Sequence, residues 1–280
     1  MQLHPSAAAA GHRLLQYDTL GSTNDEALSL ARNEMLGLGP ASRGKAPLWL
    51  AAREQTKARG RGGRQWASPP GNLYATLLLK DPAAPRYAPE LSFVAALAVH
   101  DAIVDCAPGL RPRLALKWPN DVLCGGDKVA GILIEGTQLS VILSVAVGIG
   151  INCVSHPEQT TYPATDLKSA GVEVSAEQLF LPLSAAMLRR LGQWARGEGF
   201  AAIRTDWRER AVGIGGEIRV RLPDRELAGR FEELDDVGHL LLRLPNGKLK
   251  TITAGDVFPL AGGELSRRPM AQNKWPDDTE

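Results

Sequence analysis

Two apolar runs, KVAGILIEG and LSVILSVAVGIGIN, lie almost back to back at residues 128–136 and 139–152. Both are rich in β-branched residues, and only Thr137 and Gln138 separate them. Runs of this kind read as buried strands, and the short polar break predicts an antiparallel hairpin that turns at Thr137-Gln138. The chain around them must supply a core. At 280 residues with 44% hydrophobic content it has enough material for one large domain and a small one.

The rest of the pattern is mixed. In STNDEALSLAR, Thr23 and Glu26 have capping-box spacing ahead of a helical apolar period. GLGPASRGKAP reads as loop, LWLAAREQ and NLYATLLLK as strands, and residues 90–105 as a helix. LALKWPNDVLC reads as strand, Pro-containing turn, strand. Helices follow over 176–196 and 200–211. IRVRL and HLLLRLPNGKLKTIT then alternate at the strand period, and Asn246-Gly247 signals a type I′ hairpin. Residues 212–262 thus form a separate antiparallel β unit, and 263–280 carry no core pattern and are expected to be disordered.

The first chemical signal is QTKARGRGGRQW, residues 55–66. Lys57, Arg59, Arg61 and Arg64 sit among Gly60, Gly62 and Gly63, although the whole chain carries a net charge of only +1. Glycines free backbone amides to face a ligand, and guanidinium forks match phosphate and carboxylate oxygens. The stretch fits a compact anion. Taken alone it fits a solvated loop or an RNA-binding segment equally well. No GxxxxGK[ST] or strand-borne GxGxxG is present, which excludes the P-loop and Rossmann readings.

Three further stretches carry less weight singly. KWPND (117–121) is an Asx-type turn or part of a site; Lys128 is a flanking charge or a ligand group; the glycines of GIGIN (148–152) mark close approach of backbone or ligand. Cys106, Cys124 and Cys153 form no CxxC pair and read as reduced thiols, which points to the cytoplasm. The N-terminal alanine run is too weakly apolar for a signal peptide, and no stretch approaches the roughly 18 apolar residues of a membrane span.

The order of these stretches, STN, QT-x-x-RGRGGR-x-W, KWPND, GDK-x-x-GIL and GIGIN, resembles the biotin–protein ligase family. The resemblance runs from about residue 17 to 152, with a looser match to about 260. It implies an α+β fold: a catalytic domain of the class II aminoacyl-tRNA-synthetase/biotin-ligase type (1–211) with a mixed, mostly antiparallel sheet, and a small SH3-like β-barrel (212–262). It implies that biotin, the substrate, and ATP with Mg²⁺ give biotinyl-5′-AMP, and that a lysine of a biotin carboxyl carrier protein then takes the biotinyl group. Ser22, Thr23, Asn24, Gln55, Arg59, Gly60, Arg61, Lys128 and Gly131 match biotin-binding positions, with Arg59, Arg61 and Lys128 as the catalytic cations. Arg64, Trp66, Lys117, Asn120, Asp121 and Asn152 fall where ATP and the adenylate bind, and Trp118 is expected as a further apolar wall. No metal ligand is assigned.

Ala58 departs from the glycine of many members at that position. The segment before Ser22 is too short for the winged helix-turn-helix of the repressor-type members, so no DNA binding is expected. Monomer and homodimer both occur in the family. The rival enzyme, a lipoate or octanoate ligase or transferase, would carry RR-x-x-GGG-x-V-x-H, which this sequence lacks. The rival from another class, a nucleic-acid-binding module, sits poorly with a near-neutral chain and one basic cluster.

Overall fold

A strand apolar on both faces must be covered on both, and that requirement lays out the molecule. The structure, a computed structural model, describes residues 1–36, 46–139 and 142–260. The chain opens with α1 (Pro5–Ala9), β1 (Arg13–Leu20), α2 (Thr23–Met35), β2 (Leu48–Gln55) and β3 (Leu73–Lys80). Helix α3 (Leu91–Cys106) leads to β4 (Leu114–Lys117), β5 (Asp121–Cys124), β6 (Asp127–Leu139) and β7 (Ile142–Ile151). Then come α4 (Ala176–Trp194) and α5 (Phe200–Arg210). The last part holds β8 (Glu217–Arg221), β9 (Glu226–Leu234), β10 (Leu240–Arg243), β11 (Leu249–Ile252) and β12 (Asp256–Pro259).

The larger sheet has the order β1-β2-β3-β7-β6-β5-β4. Only the β1–β2 pair is parallel, so the sheet is mixed and mostly antiparallel. In β7 the odd residues Leu143 to Ile151 enter the main core, which α3 and α4 complete. The even residue Ala146 packs instead with Ala27, Leu28 and Ala31 of α2. The next even residues are Gly148 and Gly150, and beyond the end of α2 that face of the sheet is left for a ligand.

Helix α3 is buried nearly all round because α4 and α5 pack on it while it lies on the sheet. The helical run Pro85–Cys106 therefore contains an 18-residue stretch with the length and apolarity of a membrane span, with a mean hydropathy of 1.3, contrary to the expectation from sequence. In this fold it is a core helix. Helix α4 begins with a full capping box between Ser175 and Gln178.

The smaller sheet has the order β11-β10-β9-β8-β12, the last strand returning to pair with the first. Its inner residues Ile218, Val220, Phe231 and Leu242 are continuous with the main core. Trp118, expected on a pocket wall, is fully buried and donates from Nε1 to the Gly238 carbonyl at 3.0 Å. It joins the two sheets instead of lining the pocket.

Several local expectations are corrected. Thr137 and Gln138 are ladder residues paired with Ser144 and Leu143, so the hairpin extends past them. The N-cap of α2 is Ser22, whose Oγ accepts from the Asp25 amide, while the Thr23 hydroxyl faces Gln55. At 244–248 only Gly247 has a positive φ, of 79°, so the turn is not type I′. Pro245 fixes the first central φ and a type I turn closes with Gly247 amide donating to the Leu244 carbonyl. Strands β1 and β9 were not anticipated; RLLQYDTL and ELAGRFEEL lack clean alternation. Most of the GLGPASRGKAP stretch and all of 263–280 lie outside the described residues.

Leu97 of α3 is completely buried in the main core. Leu97→Ala is expected to lower stability by about 2–5 kcal/mol in a urea titration, against less than about 0.5 kcal/mol for the exposed Leu181→Ala. Equal losses would contradict this core.

Candidate active site

The open face of the larger sheet holds a cavity of about 360 Å³, of small-molecule size. The residues matched to biotin and nucleotide positions all line it: Ser22, Thr23, Asn24, Gln55, Arg59, Gly60, Arg61, Arg64, Trp66, Lys117, Asn120, Asp121, Lys128, Gly131 and Asn152, whereas Trp118, Lys57, Gly62 and Gly63 do not. The floor is made possible by absent side chains. A Cβ on Gly148 would fall 2.4 Å from Asn24 Oδ1, and one on Gly150 or Gly131 would strike the Trp66 ring. The indole therefore lies against the sheet.

One end of the cavity is a neutral polar cluster. Gln55 Oε1 accepts from the Thr23 amide at 2.8 Å and from its hydroxyl at 3.0 Å, while Gln55 Nε2 donates to Ser68. Asn24 donates from Nδ2 to Glu135 Oε2 at 2.8 Å and to the Leu133 carbonyl at 3.3 Å, and accepts from Thr76 at 2.7 Å. Both Asn24 donors are thus taken by the protein.

The other end is cationic. The buried Asp121 carboxylate lies 2.7 Å from Lys117 Nζ and 2.5 Å from Lys128 Nζ. Burial would raise its pKa, but the two ammonium groups outweigh burial and hold it far below the usual carboxylate range. Burial likewise pulls Lys117 below its ordinary value, opposed by Asp121. Lys128 stands 5.1 Å over Trp66, and Lys117 4.5 Å over Tyr162, whose phenol is pushed up to about 12 by burial. Lys128 is set at a bulge: Val122 faces Ala130, Leu123 faces Lys128, and Val129 is the extra residue.

The Gly-Arg loop is a small hairpin closed by Arg59 pairing with Gln65, with Gly62 and Gly63 at positive φ. Its arginines diverge. Arg59 turns to the neutral end, where it grips Asp25 through both Nη atoms at 2.8 and 2.6 Å and Glu135 at 2.9 and 3.1 Å. Arg61 and Arg64 turn to the smaller sheet. Arg61 donates to the Gly255 carbonyl and to Asn120 Oδ1, and Arg64 pairs with Asp256 at 2.5 and 3.0 Å. The structure therefore separates Arg59 from the other cations, which the sequence reading had grouped as one cluster.

Asp256 and Phe258 of β12, Tyr162 and Leu133 also line the cavity and were missed. Only folding brings them there. Behind it, Thr76 and Glu135 were missed because each looks like an ordinary residue of a strand.

This arrangement has close relatives. The profile of the Biotin/lipoate A/B protein ligase family matches residues 40–152, and that of the Biotin protein ligase C terminal domain matches 213–258. The chain is 42% identical over 245 residues to a biotin--[acetyl-CoA-carboxylase] ligase of Paracoccus denitrificans, covering 85% of this chain and 96% of that one. The chain belongs to the biotin protein ligase family. A Mycobacterium tuberculosis biotin--[acetyl-CoA-carboxylase] ligase is 35% identical over 75% of this chain and 78% of its own length. Among solved structures, the biotin protein ligase from Aquifex aeolicus in complex with biotin and ATP superposes with a TM-score of 0.70 at 27% identity, over 88% of this chain and 97% of that one.

Within this biotin protein ligase fold, Asp121 is the group whose charge the cationic end requires. Its pKa is lower folded than unfolded, so it adds stability that is complete above about pH 4 and is lost as pH falls through the folded value. Asp121→Asn is expected to be less stable than wild type at pH 7, with the difference narrowing below about pH 4 in urea titrations. A difference that stays constant from neutral pH to pH 3 would contradict the assignment.

Proposed function

We propose that this chain is an ATP-dependent biotin–protein ligase: it activates biotin to biotinyl-5′-AMP and transfers the biotinyl group to a lysine of a biotin carboxyl carrier protein. The observation that carries the reading is one cavity with a neutral hydrogen-bonding end and a cationic end, on the scaffold of a family whose members act in this way. The ureido ring suits the end built from Ser22, Thr23, Asn24 and Gln55. The carboxylate and the α-phosphate suit the end built from Arg61, Lys117 and Lys128.

Two anions must meet there. A biotin carboxylate oxygen attacks the α-phosphorus, the bond to the bridging oxygen breaks, and pyrophosphate leaves. Lys128 and Arg61 offset charge on the phosphate oxygens as it develops, and they are in place beforehand. In the second half, the carrier lysine amine attacks the acyl carbon, loses its proton, and AMP departs with the bonding electrons. Gly60, Gly62 and Gly63 let residues 55–66 fold over the adenylate and keep water away. Arg64, Trp66, Asn120, Asp121 and Asn152 surround the nucleotide side.

Mg²⁺ belongs to this reading only as an ion carried on the phosphates of ATP. The carboxylates on the wall, Asp121 and Asp256, are already paired with lysine and arginine, and the described residues hold no cluster of three or more metal-ligating side chains. No step is assigned to a protein-held metal. The division into residues 1–211 and 212–262, a cytoplasmic location, action as monomer or homodimer, and independence from operator DNA complete the proposal. Against the nucleic-acid reading stands one specific observation: Arg59, Arg61 and Arg64, three of the basic loop's four cations, already face carboxylates.

The test is pyrophosphate release that requires both biotin and ATP. Arg61→Ala and Lys128→Ala are each expected to cut it by about 10²–10³-fold, the loss of one preorganised charge donor. Wild-type rates in both variants, or release driven equally by lipoate, would overturn the reading.

A further inference from the structure

Glu135 belongs to neither end of the cavity, yet it touches both the neutral cluster and the loop. It stands on β6 behind Asn24. Its Oε2 accepts from Asn24 Nδ2 at 2.8 Å, and its Oε1 accepts from Arg59 Nε at 3.1 Å and Nη2 at 2.9 Å. The remaining face of Arg59 is clasped by Asp25, at the first turn of α2.

The carboxylate, together with the Leu133 carbonyl, also sets which way the Asn24 amide points. An ionised carboxylate only accepts, so Asn24 must turn its NH₂ toward Glu135 and its Oδ1 toward Thr76. The Thr76 hydroxyl then donates to Asn24 Oδ1, while the Thr23 hydroxyl, 2.8 Å from it, donates to Gln55 Oε1. The Asn24 amide is thus held by two acceptors, the Glu135 carboxylate and the Leu133 carbonyl, and the carboxylate is the closer of the two. Asn24 also lies against the bare Cα of Gly148, where a Cβ would fall 2.4 Å from its Oδ1. A half-buried carboxylate, with its side chain 25% exposed, fixes this pattern more strongly than a solvated surface pair would.

We infer that Glu135 is a positioning residue that couples biotin-ring recognition by Asn24 to the closed state of the 55–66 loop through Arg59. This inference rests on the biotin reading of the site. When the loop is folded, Arg59 shares the Glu135 charge and Asn24 is aligned for the ring. When the loop opens, Glu135 loses its cation and its hold on Asn24 loosens. Ring binding and loop folding are therefore reciprocal.

Glu135→Gln keeps the shape and removes the accept-only charge. Biotin binding to the full chain is measured by calorimetry, loop opening by hydrogen exchange with and without biotin, and turnover by pyrophosphate release. The expected result is affinity for biotin weakened about tenfold or more, the loss of a charge-assisted hydrogen bond. The KM for biotin rises in step, kcat and the KM for ATP change less than about threefold, and biotin no longer protects residues 55–66. Because Arg59 acts through Glu135, Arg59→Gln added to Glu135→Gln costs little more, although Arg59→Gln alone weakens binding. A merely structural ion pair would lower thermal stability and leave the KM for biotin and the loop's protection intact; that result overturns the inference. Losses from the two substitutions that multiply independently also overturn it. Failure of the wild-type protein to bind biotin would instead remove the functional reading beneath it.

Discussion

Like charges gathered in one cavity repel, and every arrangement at this site answers that repulsion. Lys117, Lys128, Arg61 and Arg64 all line a cavity of about 360 Å³. They are held there before any anion arrives because carboxylates are interleaved among them. Asp121 lies between two lysines, and Asp256 faces two arginines. Asp121 and Lys117 are buried, and removing either one leaves an uncompensated charge, which costs far more than the pair itself contributes. The carboxylates make the cations affordable to bury, and the cations make the reaction possible.

That interleaving explains the shape of the fold around the site. Asp121 must emerge from a short strand after a turn, with Lys117 at its other end, and the β4–β5 hairpin supplies this. Lys128 must reach the same carboxylate from the neighbouring strand, and the bulge beside it turns the side chain there. Asp256 comes from the smaller sheet, which is fastened to the larger one by Trp118 and by the shared core. The smaller sheet thus contributes charge to the loop as well as apolar cover.

Much of the site was legible because its parts are local. The Gly-Arg loop, KWPND, Lys128 and GIGIN each announce a backbone or charge requirement within a few residues, and each lines the cavity. The glycines of GIGIN in particular signal close approach, and Asn24 and Trp66 are what approaches. Glu135, Thr76 and Asp256 were not legible, since each reads as a routine strand residue until folding gives it a partner. The same limit applies to the fold. Strand β1 is recognisable only once β2 lies parallel to it, and the Pro245 turn shows that a dipeptide signal yields to the residue before it. The grouping of Arg59 with Arg61 failed for a related reason: alternate loop residues point to opposite sides, toward carboxylates that lie far away in the sequence.

The central claim is that prearranged cations hold a carboxylate and a phosphate together. A crystal structure with a non-hydrolysable biotinyl-adenylate analogue examines it most directly. The linkage between acyl group and phosphate is expected within hydrogen-bonding reach of Lys128 and Arg61, with the ring on Asn24 and the loop folded over it. An analogue whose phosphate faced solvent, with Lys128 and Arg61 still engaged only by the protein, would contradict it.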